Sequence, residues 1–270
     1  MKLKAKLKCC EKKDLIKAFE YREKPLFETD FNIKNYNRYY KKCKNCEHYF
    51  SFLDFDINKI YKKTYSEKTY GNSKKIENTF KKIISFPKHK SDNKNRVLRC
   101  TKFIKGKKFL DIGSGMGVFP FELKKKIKNL KMNLLEKDKN LINFLNKNFK
   151  NENIKSDINY FTKNKSYNKF FDFISINKVL EHLENPEIIL KKVKKLLSNN
   201  GVLYIEVPDE KASIAGGLRE EFFIEHLHVY SLKSLKNTLK KIKFKILQIK
   251  SIKEKSGKFT IFAFCKNIKN

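Results

Sequence analysis

The sequence predicts an α/β protein built on a doubly wound sheet, closed at its carboxyl end by an antiparallel hairpin and preceded by a small cysteine-containing module. Three observations predict it. From about residue 101, apolar strand-like runs alternate with stretches of helical period. A glycine-rich loop lies between the first such strand and helix, where Gly113, Gly115 and Gly117 are three of the chain's nine glycines. Near the C-terminus, the link 253–258 between two strand-like runs is too short for a crossover helix, so those runs pair as a hairpin.

Taken in order, residues 1–60 hold four of the six cysteines and many aromatics, and read as a separate amino-terminal module. Residues 61–100 are polar and lysine-rich, with Tyr61, Tyr65 and Tyr70, and read as a helical connector or lid. The domain at 101–270 has buried-strand runs at 109–112, 132–135, 171–176 and 202–207. Helices are expected between them at 119–128, 140–149 and 186–197. A last helix at 231–242 precedes the hairpin strands 245–252 and 259–265.

The formal net charge is +34, from 63 basic and 29 acidic residues. Such a field attracts anions, and nucleic acid is one reading of it. Only five of the basic residues are Arg, whose planar fork is what phosphate and base readers usually exploit. The lysines are spread along the whole chain among abundant Asn, Ile and Phe, which favours compositional bias over a selected nucleic-acid surface. No apolar run approaches the roughly 20 residues of a membrane span, and no apolar stretch follows the basic N-terminus as in a secretory signal. The expected location is cytoplasmic, with reduced thiols or metal ligands in place of disulfides.

The most informative stretch runs from Asp111 through Gly113, Ser114 and Gly115 to Gly117. Glu136 follows 19 residues after Gly117, at the end of the second strand, where a carboxylate can accept both hydroxyls of a ribose. The third glycine comes one residue too early for a dinucleotide fingerprint, and the leading Asp111 would repel a pyrophosphate. This Asp-Ile-Gly-Ser-Gly-Met-Gly run resembles motif I of class I S-adenosylmethionine (SAM)-dependent methyltransferases. The stretch 171–186, with an Asp in its strand and a following Glu-His-Leu, resembles that family's fourth-strand segment, and 201–209 its fifth strand. The resemblance covers about residues 101–266 and implies a Rossmann-like sheet of seven strands. It also implies SAM as cofactor, Asp157 at the adenine amino group, Asn177 beneath the methionine part and Tyr70 on a lid.

For the acceptor side, His226 and His228 lie after the fifth strand and before the last helix, where open α/β sheets build their sites. Histidine is the side chain best suited to proton transfer near neutral pH, and Glu225 could orient it. Residues 222–231 resemble a stretch of sugar C-methyltransferases whose Tyr and His are assigned to catalysis. That match carries His226 over as base with Glu225 beside it. The Tyr position is Phe223, which favours O- over C-methylation. His182, at the rim of the same sheet, is a further catalytic candidate. In ubiquinone-pathway O-methyltransferases a Glu-x-x-Glu-His stretch is associated with a divalent metal. The first Glu is Lys178 here, so no metal is carried over to His182.

Cys43 and Cys46 form a Cys-x-x-Cys knuckle, a spacing that chelates tetrahedral zinc. Its partners would be Cys9 and Cys10, although adjacent cysteines seldom ligate one ion comfortably, and His48 is a substitute. Bystander thiols are the alternative. The arrangement resembles the zinc-ribbon-like amino-terminal segment of methyltransferases acting on sugars. The expected function is therefore SAM-dependent methylation of a small polar acceptor, anionic or sugar-like, such as a nucleotide-linked sugar. An RNA-modifying methyltransferase and a SAM-binding protein without catalysis are the alternatives.

Overall fold

In the computed structural model, which describes residues 2–3, 5–55 and 65–268, the chain forms two sheets. The first is antiparallel: β1 (Lys2–Leu3), β2 (Leu15–Tyr21), β3 (Arg38–Cys43) and β4 (Tyr49–Leu53), in the order β1-β4-β3-β2. Aromatic residues, which suit a pleated surface, dominate it, and Tyr40, Tyr49 and Phe50 are buried. Tyr61 lies outside the described residues.

Three helices follow: α1 (Tyr65–Tyr70), α2 (Ser73–Ser85) and α3 (Asp92–Thr101). Asn72 and Ser91 cap α2 and α3 by accepting the otherwise unsatisfied amides of Lys75 and Lys94. On α2, Phe80 packs edge-on against Phe121 and Phe144 and so docks the helix beside the glycine loop's own helix.

The second sheet comprises β5 (Lys108–Ile112), β6 (Lys131–Leu135), β7 (Asn153–Lys155), β8 (Phe171–Asn177), β9 (Leu197–Pro208), β11 (Phe244–Lys253) and β12 (Phe259–Asn267). Its order is β11-β12-β9-β8-β5-β6-β7, parallel from β9 to β7 and antiparallel through the terminal hairpin. This is the predicted α/β architecture with its seven-stranded sheet. Helices α4 (Val118–Lys126), α5 (Lys139–Asn148), α6 (Asn159–Lys163), α7 (Pro186–Leu196) and α8 (Leu232–Lys241) complete it. The central strands are buried on both faces, with Leu110 and Ile174 in one cluster and Phe109, Phe173 and Tyr204 in the other.

Most boundaries fall within two residues of expectation, and two shifts have clear local reasons. β9 begins at Leu197, five residues early, because its start pairs with Phe171. α5 starts at Lys139 because Asp138 caps the Leu141 amide.

One strand joins the two halves. β10 (His228–Val229) leaves the second sheet's loops and pairs antiparallel with β4, His228 opposite Phe50. The amino-terminal sheet is thereby hydrogen-bonded along one edge to the segment that carries His226. Among the described residues no helix is long and apolar enough to cross a membrane.

Candidate active site

The glycine loop, Glu136 and Asn177 gather at the carboxyl ends of β5, β6 and β8. Asp111, next to last in β5, is a 3% exposed carboxylate that accepts a hydrogen bond from Ser175 Oγ. Burial pushes its pKa up to about 6, against the hydrogen bonds of Ser175 and Ser114. The loop is tied to β6 by the Gly113 and Ser114 amides, which donate to Leu135 O at 2.8 and 3.0 Å. Gly113 and Gly117 both have φ near +74°, and a Cβ on either would collide with Val179 or Phe149. Gly115, at φ +54°, differs: a Cβ there would meet nothing within 4 Å. The backbone at 115 faces open space.

Glu136 closes the same loop. Its Oε2 accepts the Gly115 amide at 2.8 Å, and its Oε1 accepts those of Lys137 and Asp138. Burial raises its pKa against those three amides. Asn177 ends β8 beside the loop, and its Oδ1 is buried with no hydrogen-bond partner. An open glycine face, a carboxylate fixed at its rim and an orphaned amide oxygen fit a ligand carrying hydroxyl and ammonium donors, as SAM does. Tyr70, at the end of α1, packs on the cluster that contains Val118 of α4. Asp157 is exposed, caps Asn159 through both oxygens, and has its pKa lowered first by the Asn159 amide.

The segment after β8 stands against this loop through Val179, whose side chain abuts Gly113. Past it, a 3-10 turn at Leu180–His182 brings His182 against His226, ring centroids 4.9 Å apart. His226 Nδ1 lies 3.0 Å from Glu221 O, and His182 Nδ1 lies 3.0 Å from Glu225 O. Carbonyls only accept, so each neutral ring carries its proton on Nδ1 and has an acceptor at Nε2. Burial holds the His226 pKa well below its ordinary value and that of His182 at about 4. The Glu221 main chain accepts the His226 Nδ1 proton, and Glu225 gives its carbonyl to His182. Burial raises the Glu225 carboxyl to about 7.

Glu181 was not singled out in the sequence. It is fully buried, neither carboxylate oxygen has a hydrogen-bond partner, and burial lifts its pKa to about 8 against the pull of Lys178. Together Glu181, His182 and His226 present acceptor atoms within 4.8 Å of one another. Lys178, in the left-handed region at φ +57°, donates from Nζ to Thr260 at 2.7 Å. Beneath, Glu206 accepts Arg96 and Arg99 at 2.6 Å each, and their charges overcome burial to hold it at about 2. Arg38, Arg96, Arg99 and Arg219 all pair with carboxylates, so most of the chain's arginines serve the fold.

The amino-terminal cysteines converge. Cys10 Sγ lies 3.6 Å from Cys43 Sγ and 3.7 Å from Cys9 Sγ, and all four sulfurs, Cys46 included, fall within 4.8 Å of one another. A zinc–sulfur tetrahedron with bonds near 2.3 Å has edges of roughly 3.8 Å, so the cluster fits zinc. Adjacent Cys9 and Cys10 both bring their sulfurs into the cluster. His48 lies outside it, buried between His228 and Ser234. Cys100 and Cys265 are buried core thiols.

A seven-stranded sheet with this hairpin, a glycine loop led by Asp111 and a carboxylate at the next strand end define a SAM-dependent methyltransferase. The chain belongs to the methyltransferase-domain family, whose model matches residues 86–249. A probable (S)-tetrahydroprotoberberine N-methyltransferase 2 of Papaver bracteatum is 25% identical over 148 residues, 52% of this chain and 40% of that protein. The chain thus matches less than half the length of that relative. Among solved structures, the plantazolicin methyltransferase BpumL in complex with SAH is similar in fold, with TM-score 0.56 and 19% identity. The match covers 77% of this chain and 92% of that one. A SAM-dependent methyltransferase from Aquifex aeolicus matches with TM-score 0.51 and 18% identity, over 69% and 97% of the two chains.

Proposed function

We propose that this methyltransferase acts on a small polar, anionic or sugar-like acceptor, with a nucleotide-linked sugar as the leading class and oxygen as the methylated atom. One observation carries the reading: the Nε2 acceptor of His226 stands on the wall that continues from the glycine loop through Val179. SAM, when bound, supplies a methyl group on a sulfonium that already leaves easily. The protein's task is therefore alignment and proton removal.

In this reading Asp111, Gly113, Ser114, Gly115, Gly117 and Asn177 receive the methionine part, Glu136 the ribose and Asp157 the adenine edge, with Tyr70 covering them. His226 takes the acceptor's proton at Nε2 while its Nδ1–H stays on Glu221 O. Because His226 is held neutral by burial, it is in the base form at neutral pH. The absence of a Tyr at Phe223 removes the second proton-handling group that C-methylation would use. The excess of positive charge favours an acceptor bearing a pyrophosphate. Zinc on Cys9, Cys10, Cys43 and Cys46 has a structural role, and the protein works in the cytoplasm.

Nucleotide sugars and RNA, each incubated with methyl-labelled SAM, test the acceptor class. Label in a sugar with wild type and none with His226→Ala, at unchanged SAM affinity, is the expected result. Label in RNA alone overturns the acceptor assignment, and full activity of His226→Ala removes it as base.

A further inference from the structure

The segment 221–227 carries His226 from the end of a short 3-10 turn (Glu220–Phe222) to the start of β10, and its main chain is held at several points. Arg38 NH1 donates to Phe222 O at 2.9 Å. Tyr40 OH donates to His226 O, with Phe223 O as a longer second acceptor at 3.2 Å. Glu28 Oε2 accepts the Ile224 amide at 2.7 Å. The Ser51 amide donates to Leu227 O at 3.0 Å. Every one of these partners comes from the amino-terminal sheet or its loops.

At the centre is a buried ion pair. Arg38 is 0% and Glu28 4% exposed, with NH2 and Oε2 2.8 Å apart. The guanidinium is fixed further by Tyr36 OH, which accepts from Nε at 2.6 Å, and by the Tyr21 ring 3.8 Å beneath it. Tyr36 OH in turn donates to Glu28 Oε1. A buried pair of this kind is a weak source of stability relative to apolar packing, but it fixes direction, because both charges must keep their partners. Here two of those partners are main-chain groups of the His226 segment. The amino-terminal module thus holds the acceptor wall in one geometry.

We propose that Arg38 and Glu28 are positioning residues for methyl transfer, holding residues 222–226 so that His226 keeps its place against His182 and Glu181. This rests on the reading of His226 as the acceptor-side base. Neither residue touches cofactor or acceptor; they act through the Phe222 carbonyl and the Ile224 amide. Glu28→Gln keeps the shape but gives up the charge, and Arg38→Lys keeps the charge but loses the fork that reaches Phe222, Tyr36 and Glu28 together.

The test uses the full chain and needs no acceptor. Wild type, Glu28→Gln, Arg38→Lys and the milder Tyr40→Phe are treated briefly with diethyl pyrocarbonate, and carbethoxylation of each histidine is read by peptide mass spectrometry. Exposed His89 is the internal standard. Folding is checked by circular dichroism and SAM affinity by calorimetry. The expected result is at least about tenfold faster modification of His226 relative to His89 in Glu28→Gln and Arg38→Lys, with SAM affinity within about twofold of wild type. A role in global stability alone would lower the melting temperature and leave native-state His226 reactivity unchanged. That outcome in the folded variants overturns the proposal. Should one variant fail to fold, the remaining two decide it. His226 reactivity reports the segment's position whether or not His226 is the base, so this result separates from the turnover of His226→Ala.

Discussion

His48 Nε2 lies 3.0 Å from His228 Nδ1, and this contact between two fully buried imidazoles spans the join of the two sheets. His228 Nε2 is 3.0 Å from Leu183 O and must donate to it, so His228 Nδ1 is the acceptor and His48 Nε2 the donor. With both rings neutral, His48 Nδ1 faces Ser234 Oγ at 3.1 Å, and that hydroxyl also stands 3.1 Å from Ser231 O. Burial keeps both rings neutral.

Acid should therefore unfold the protein from this join outward. Burial lowers the His228 pKa to about 3 and that of His48 well below its ordinary value. In the unfolded chain both titrate near the ordinary histidine value, so as pH falls below about 6.5 the unfolded state binds protons that the folded state refuses. Stability then drops by about 1.4 kcal/mol per pH unit for each such proton. Glu181, Glu225 and Asp111 take up protons on folding over the same range and offset this loss, so urea midpoints at pH 7, 5.5 and 4.5 are compared between wild type and His228→Gln, and wild type should fall relative to the variant. A difference that stays level to pH 4.5 would contradict a His228 that refuses its proton when folded.

The three glycines of the loop should respond differently to alanine. Gly117→Ala places a methyl 2.6 Å from Phe149 and Gly113→Ala one 2.3 Å from Val179, both at positive φ. Each should lose stability, by about 1–3 kcal/mol from overpacking in addition to backbone strain. Gly115→Ala meets no atom, so it should lose only the strain of about 1 kcal/mol. Yet its methyl enters the space assigned to SAM, and affinity should fall about tenfold or more by calorimetry. A Gly115→Ala protein that binds SAM as wild type does would place the ligand elsewhere.

The contrast between these two regions shows what a linear sequence reveals. The parallel strands were legible because they are buried on both faces, so Phe109 to Ile112 or Phe171 to Ile176 read as apolar runs whatever they pair with. The glycine loop was legible because a sharp turn and close approach exclude a Cβ at 113 and 117. The hairpin followed from a short link alone. By contrast, β10 is two residues long, and nothing local to His228 and Val229 announces pairing with β4. Glu28 and Arg38 look like ordinary surface charges until the chain folds around them. Glu181 escaped for the same reason: burial of a carboxylate is a tertiary fact. The convergence of Cys9 and Cys10 on Cys43 and Cys46 was partly legible from spacing, but only the turn at residues 8–14 brings both neighbours inward.

The cysteine cluster predicts a metal content and a structural consequence. Protein prepared without added metal should carry about one zinc per chain by elemental analysis. Its removal should loosen the start of α8, because Ser231 Oγ donates to Cys46 O and Asn237 Nδ2 to Cys9 O. Chelation should thus lower the melting temperature and speed amide exchange around residues 231–237. A chain without zinc whose four thiols react freely at neutral pH would make them bystanders.

Glu181→Gln should act in the direction opposite to the histidines. The folded carboxyl titrates at about 8, whereas the unfolded one titrates near 4.3. Between those values the folded state keeps a proton that the unfolded chain releases, so its contribution to stability is complete below about 4.3 and is lost as pH rises through about 8. Glutamine preserves the shape and has no proton to lose. The variant should therefore gain in melting temperature relative to wild type as pH goes from 6 to 9, with near equality at pH 4.5. Glu225, raised to about 7, contributes a loss of the same sign over a narrower pH range and remains in the variant, so the alkaline decline is reduced and not abolished. Parallel melting curves for the two proteins across that range would mean that Glu181 ionises normally, which its burial and unpartnered oxygens oppose.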